Sequence, residues 1–240
     1  MKSSAIASRL PTLLLPGLLC DDTLWSDQVA NLADVISPNI ADLTLDDSVA
    51  KMARRALDSA PDEFVLVSLS MGGYVALEIM RQAPERVRAL ALFSTSAAAD
   101  TDDRAARRRE SMASLQRGRF VGVTNKIVAS LLHPSHAKGP VANTLKTMAA
   151  RVGGEAFLRQ QQAILDRVDS RSLLPHINVP TLVVVGESDA ITPPGEALEI
   201  HLGVRRSTFT VMRNCGHLPV LERPQEATFL LRQWISGLLR

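Results

Sequence analysis

The chain has 240 residues, 46% of them hydrophobic, and a formal net charge of +2. That size and apolar share suit one compact domain or one domain carrying an insertion, and the near-neutral balance excludes nucleic acid as a global polyelectrolyte partner. Two cysteines supply neither a disulfide framework nor a metal-ligand spacing, and no apolar run reaches the roughly 20 residues of a membrane span, so a cytoplasmic, reduced setting without cofactor, metal or membrane is the expectation.

The apolar start, Met1-Lys2 through Leu18-Leu19-Cys20, is not read as an export signal. Arg9 interrupts it, and Leu19 stands where signal cleavage wants a small residue. Thr12 to Leu15, closed by Pro16-Gly17, reads as a buried strand. Asp21-Asp22 precede a helical pattern of Leu24, Trp25, Val29 and Leu32. Val35 to Ile40 is a weaker strand, interrupted by Pro38. Asp46-Asp47-Ser48 opens a helix whose apolar face is Val49, Met52, Ala53, Ala56 and Leu57, ending before Pro61. Phe64 to Leu69 is a strand; a helical pattern (Val75, Leu77, Ile79, Met80) follows and stops at Pro84. Val87 to Phe93 is another strand.

From about 98 to 176 the pattern changes to four helical stretches with no strand between them. Phe120, Val123, Ile127 and Leu131 share one helical face, and Leu145, Met148 and Val152 repeat that spacing. Strand and helix then alternate again: Thr181 to Val185, a helix capped by Thr192-Pro193, a last strand from Arg206 to Val211, and a closing helix over 222–240 with Phe229, Leu230 and Trp234 inward. The alternation predicts an α/β fold, a mostly parallel sheet covered by helices on both faces with right-handed crossovers. The expected division is a core of 1–97 and 177–240 with a helical cap, 98–176, inserted between two strands.

Chemistry concentrates at Val65-Leu66-Val67-Ser68-Leu69-Ser70-Met71-Gly72-Gly73. A strand driving into a helix through one serine is a nucleophile elbow. Small residues two places to either side let strand and helix approach; Gly72 fills the later place and Ser68 the earlier. Only Ser70 has a glycine two residues on, so Ser70 is the expected nucleophile. Two acids, Glu187 and Asp189, lie just past the strand ending Val183-Val184-Val185, and His217 lies just past the next strand. Loops at the carboxyl ends of parallel strands converge on one edge of a sheet. Ser70, Asp189 and His217 therefore form a candidate triad, with the histidine as general base and the aspartate fixing its tautomer. The backbone N–H groups of Met71, directly after the nucleophile, and of Leu18, after the first strand, are the candidate oxyanion donors; Pro16 has no N–H to offer.

With Pro16-Gly17-Leu18, the elbow around Ser70, Gly186 to Asp189 with Thr192-Pro193-Pro194, and Gly216-His217 with Glu222-Arg223-Pro224, the chain resembles the α/β-hydrolase superfamily over essentially its full length. It is similar to the small, capped bacterial esterase and lactonase-like members. The family pattern favours Asp189 over Glu187. Pro16-Gly17 replaces the usual His-Gly, and Ser68 the usual glycine. With only about ten residues before the first strand, the sheet is expected to lack the extra hairpin of many members. The resemblance implies a serine hydrolase cleaving a small or medium carboxylic ester through an acyl-enzyme. An enol-lactone, a thioester or a diketone C–C bond are the alternatives on the same triad, and a silent binding protein is the reading from another class.

Residues 98–175 hold 13 Lys or Arg against 7 Asp or Glu, a net of +6, which leaves −4 for the remainder. The expectation is a solvated helix face; the alternative is a positive lid that concentrates an anionic small-molecule substrate. His133 and His136 flank Pro134, which argues against a metal pair on one helix face. Cys20 and Cys215 are expected to pack near the pocket.

Overall fold

A computed structural model of the chain describes residues 9–118 and 122–238. Among these residues six strands form one wholly parallel sheet in the order β2-β1-β3-β4-β5-β6: β1 Leu10–Leu15, β2 Ile36–Ile40, β3 Phe64–Leu69, β4 Val87–Phe93, β5 Thr181–Gly186 and β6 Ser207–Met212. The central strands are unbroken apolar runs because helices cover both faces, and every residue of β3 and β5 is buried. Pro38 is accommodated because β2 lies at the sheet's edge.

Alternate residues along each strand feed two cores. Leu13, Leu15, Leu66, Leu90, Leu92, Val183 and Val185 pack on one face against helices α2 (Val49–Ser59), α3 (Met71–Gln82) and α7 (Pro194–Gly203). Leu14, Val65, Val67, Ala89, Ala91 and Val184 pack on the other with Trp25 and Leu24, beside the short α1 (Ser26–Asn31), and with α9 (Pro224–Leu238). Between β4 and β5 the chain runs through α4 (Asp102–Arg117), α5 (Asn125–Leu131) and α6 (Pro140–Leu165); α8 (Pro219–Glu222) follows β6. Gly153, at φ 80°, leaves helical geometry and divides α6 into two segments, so among the described residues this region holds four α-helical segments and two short 3-10 turns. Among the described residues no helix is long and apolar enough to cross a membrane.

Three expectations are corrected. Phe229 does not face inward: it is 60% exposed, and the buried face of α9 is Ala227, Thr228, Leu231 and Ile235, with Leu230 and Trp234 only flanking it. The i, i+4, i+8 row of 227, 231 and 235 meets the sheet, and Phe229 lies on the opposite side of the helix. Val123 to Leu131 is not one helical face. Gly122 has φ 66°, α5 starts only at Asn125 under a Thr124 cap, and Val128 is buried while Ile127 is 42% exposed. Phe120 lies outside the described residues. Thr192 does not cap α7, which begins at Pro194 with Pro193 at its N-cap and no side-chain cap bond; the Thr192 hydroxyl is engaged elsewhere.

Candidate active site

Ser70 sits between β3 and α3 with φ 54° and ψ −115°, a conformation that costs a non-glycine residue of order 1–3 kcal/mol. The surroundings hold it there. Its N–H donates to Phe93 O at 2.9 Å, and its carbonyl accepts from Thr95 Oγ1 at 2.8 Å and from Gly73 N–H at 2.8 Å. The elbow is tight enough that a Cβ on Gly72 would stand 2.4 Å from Leu15 O and 2.7 Å from Pro16 O, both backbone atoms. At the other small position Ser68 is fully buried, and its hydroxyl donates to Ala91 O at 3.2 Å, which satisfies a polar group that glycine would not bring.

The structure brings Ser70, Asp189 and His217 together. His217 Nε2 is 2.8 Å from Ser70 Oγ, and His217 Nδ1 is 2.9 Å from both carboxylate oxygens of Asp189. An ionised carboxylate only accepts, so Nδ1 carries the proton and Nε2 is left to accept from the serine hydroxyl. Burial alone would raise the Asp189 pKa. The adjacent His217 and the N–H groups of Thr192 and Ile191 overcome that and hold it below the ordinary carboxylate value. Glu187, the rival acid, is exposed and receives only the Asn214 N–H at 3.4 Å.

Two residues to which the pattern assigns no catalytic role stand beside the three. Thr192 is buried; its hydroxyl donates to Asp189 Oδ2 at 3.0 Å, and its N–H and that of Ile191 donate to Oδ1, each at 2.9 Å. Glu222 is buried beneath the histidine loop, where backbone N–H groups converge on its carboxylate. A threonine three residues after the acid was the visible signal for the first. Glu222 was visible in the motif, but nothing local showed what it would bind.

Leu18 lines the cavity beside Ser70, and Met71 opens α3, where first-turn N–H groups have no helical acceptor. The loop carrying Leu18 is fixed from the far side. Leu19, at φ 58°, donates its N–H to Gln160 Oε1 at 3.1 Å, and Gln160 Nε2 donates to Leu43 O at 3.1 Å.

The cavity above Ser70 measures about 570 Å3. Leu18, Val123, Leu131, Leu145, Phe157 and Ile164 supply much of its apolar wall, with residues of α4, α5 and α6 all contributing. One polar corner is built on Asp100, whose buried carboxylate meets Arg108 at 2.6 Å and Arg167 at 3.0 Å. Burial pushes the Asp100 pKa up, but the two guanidiniums outweigh it and leave it lowered. Arg108 also donates to Gln161 Oε1 at 2.9 Å, and the Arg167 guanidinium lies 4.2 Å from the centre of the Tyr74 ring. Cys20 lines the same cavity, and burial with nearby Asp21 pushes its thiol up to about 12; burial likewise raises Cys215. Both stay protonated at neutral pH and act as packing groups. The His133 ring caps a short turn, its Nδ1 2.7 Å from Ser135 Oγ.

A parallel sheet with an elbow serine, a histidine and an acid at its carboxyl edge defines a hydrolase class, and the comparisons agree. Residues 12–229 match the model of the alpha/beta hydrolase family, so the chain belongs to that family. Among curated relatives, the pimeloyl-[acyl-carrier protein] methyl ester esterase of Neisseria meningitidis serogroup B is 32% identical over 184 residues, covering 73% of this chain and 70% of the relative. The serogroup A protein of the same name is 31% identical over 183 residues, covering 72% of this chain; this chain spans only 57% of that relative's length. Among solved structures, a thermophilic esterase from Thermogutta terrifontis superposes with a TM-score of 0.87 at 27% identity, covering 98% of this chain and 92% of the other. An enol-lactonase from Burkholderia xenovorans gives 0.78 at 19% identity, covering 95% and 92%, a likeness of fold alone.

Proposed function

We propose that the chain is a serine carboxylesterase acting on esters of small or medium acyl size, with Ser70 as nucleophile, His217 as general base and Asp189 as the acid that orients it. The observation that carries this reading is the unbroken hydrogen-bonded line Ser70 Oγ–His217 Nε2/Nδ1–Asp189 opening into a largely apolar cavity of about 570 Å3. In this mechanism His217 takes the Ser70 proton as Oγ attacks the ester carbonyl. The N–H groups of Met71 and Leu18 receive the developing oxyanion. The protonated His217, steadied by Asp189, hands its proton to the leaving alcohol. Water then attacks the acyl-enzyme by the same route in reverse. Residues 98–176 act as the cap that walls the acyl site, and the core is 1–97 with 177–240. The test is hydrolysis of p-nitrophenyl acetate, butyrate and octanoate by wild type and Ser70→Ala.

A second reading has its own support in the curated relatives, which are named for a methyl ester at the end of a carrier-bound acyl chain. Here the substrate is the same type of ester with the acyl chain entering the cavity from a carrier protein. Faster hydrolysis of a carrier-bound methyl ester than of the free methyl ester, by about tenfold or more in kcat/KM, distinguishes it; one decade corresponds to 1.4 kcal/mol of added transition-state binding.

A further inference from the structure

The Glu222 carboxylate gathers three backbone N–H groups. Gly216 N–H is shared between its oxygens at 3.1 Å each, Leu218 N–H lies 3.0 Å from Oε1, and His133 N–H lies 2.7 Å from Oε2. Gly216 and Leu218 are the immediate neighbours of His217, whereas His133 belongs to the segment that follows α5. The same two segments are joined again where His217 N–H donates to Leu131 O at 2.7 Å. They also pack without room for a methyl group: a Cβ on Gly216 would stand 2.6 Å from Leu131 O and 2.7 Å from His133 N. Leu131 in turn lines the cavity over Ser70.

We propose that Glu222 is a positioning residue for His217, and that through the His133 N–H it makes the end of α5 part of the histidine loop rather than a free flap. The inference rests on the serine-hydrolase reading above. A buried carboxylate binding N–H groups forms strong charge-assisted bonds, and it can hold both neighbours of the histidine while its third bond fixes the cavity wall. Opening of the cavity then occurs without α5, whose departure would carry the general base away from Ser70.

The backbone permits an atom-level test. His133 has φ −58° and ψ 145°, and Leu132 before it has φ −106° and ψ 148°, so the backbone angles suit proline at 133, whose Cδ takes the place of the N–H and displaces the Glu222 carboxylate from it. His133→Pro deletes the N–H that Glu222 accepts, and His133→Ala removes the same side chain while keeping that N–H. With p-nitrophenyl butyrate, kcat of His133→Pro is expected to fall roughly fivefold to tenfold below that of His133→Ala, with KM within about twofold; misplacement of a catalytic group acts on kcat. Glu222→Gln, near-isosteric but presenting an NH2 group to N–H donors, is expected to lose roughly tenfold to a hundredfold in kcat with the same small change in KM. Equal kcat for the two His133 variants, or a Glu222→Gln protein that melts earlier yet turns over at the wild-type rate, overturns the proposal. Ser70→Ala run alongside separates the two claims. If it is as active as wild type, the serine-hydrolase reading fails, whereas normal loss there with no effect at 133 and 222 fails the positioning role alone.

Discussion

Gly72→Ala tests whether the elbow and the oxyanion loop are one rigid unit. A Cβ at 72 would stand 2.4 Å from Leu15 O, 2.7 Å from Pro16 O and 2.8 Å from Leu15 C, and ordinary contact starts near 3.4 Å. Backbone must therefore give by about 1 Å, the difference between 3.4 and 2.4 Å. None of the three atoms belongs to a flexible side chain, and β1 on one side and Gln160 on the other restrain the loop. Helix propensity alone favours alanine by about 1 kcal/mol. Overpacking costs about 1–3 kcal/mol, so the net loss is about 0–2 kcal/mol, a Tm lowered by roughly 0–8 °C. The effect on rate is large. A displacement near 1 Å costs on the order of a hundredfold, and loss of one oxyanion donor costs on the order of 10²–10³ in kcat. The assay is steady-state hydrolysis of p-nitrophenyl butyrate with KM followed separately, beside a thermal melt. A folded Gly72→Ala protein with kcat within about threefold of wild type would refute the assignment of Leu18 N–H and the rigidity of this loop.

Thr192→Val removes the hydroxyl bond to Asp189 Oδ2 and is expected to lower kcat about tenfold, with Thr192→Ser recovering most of it; wild-type kcat in the valine variant contradicts the role. For Asp100→Asn the sign follows from a carboxyl whose folded pKa is depressed. Its stabilisation is complete above the unfolded value of about 3.9 and is lost as pH falls through the folded value. The Tm gap between wild type and variant is therefore expected to be full at pH 7 and to close below about pH 4; a gap independent of pH contradicts the ion-pair account. Many of the basic residues between 98 and 175, including Arg104, Arg108, Arg151, Arg167 and Arg171, are in ion pairs. Hydrolysis of an anionic ester is therefore expected to respond to added salt no more than that of a neutral ester. A steeper fall for the anionic ester would restore the idea of a positive lid.

The sheet was legible because its evidence is local. Phe64 to Val67 and Leu182 to Val185 are apolar runs of the kind that a doubly covered parallel strand requires. The meeting of Ser70, Asp189 and His217 was legible because each follows such a strand, and parallel topology delivers strand ends to one edge. Where the reading missed, tertiary partners decided. Thr192 stands before a proline as a helix cap would, yet α7 begins one residue later, at Pro194 with Pro193 at its N-cap, and the Thr192 hydroxyl instead donates to Asp189. Nothing beside Glu222 in the chain shows that one of the N–H groups its carboxylate accepts belongs to His133, 89 residues away. Phe229 is apolar, which by itself predicts an inward position, whereas the sheet meets the row through Ala227, Leu231 and Ile235.

The central claim is that Ser70 is the nucleophile of an esterase. Wild type and Ser70→Ala should be assayed side by side on p-nitrophenyl esters of two, four and eight carbons, each protein shown to be folded by its thermal melt. Wild type is expected to turn over, with an optimum among the short and medium chains, and the variant to lose about 10⁴-fold or more, since a triad acts as a unit. Equal activity in the two proteins would contradict the assignment of Ser70, and inactivity of both would contradict the esterase reading.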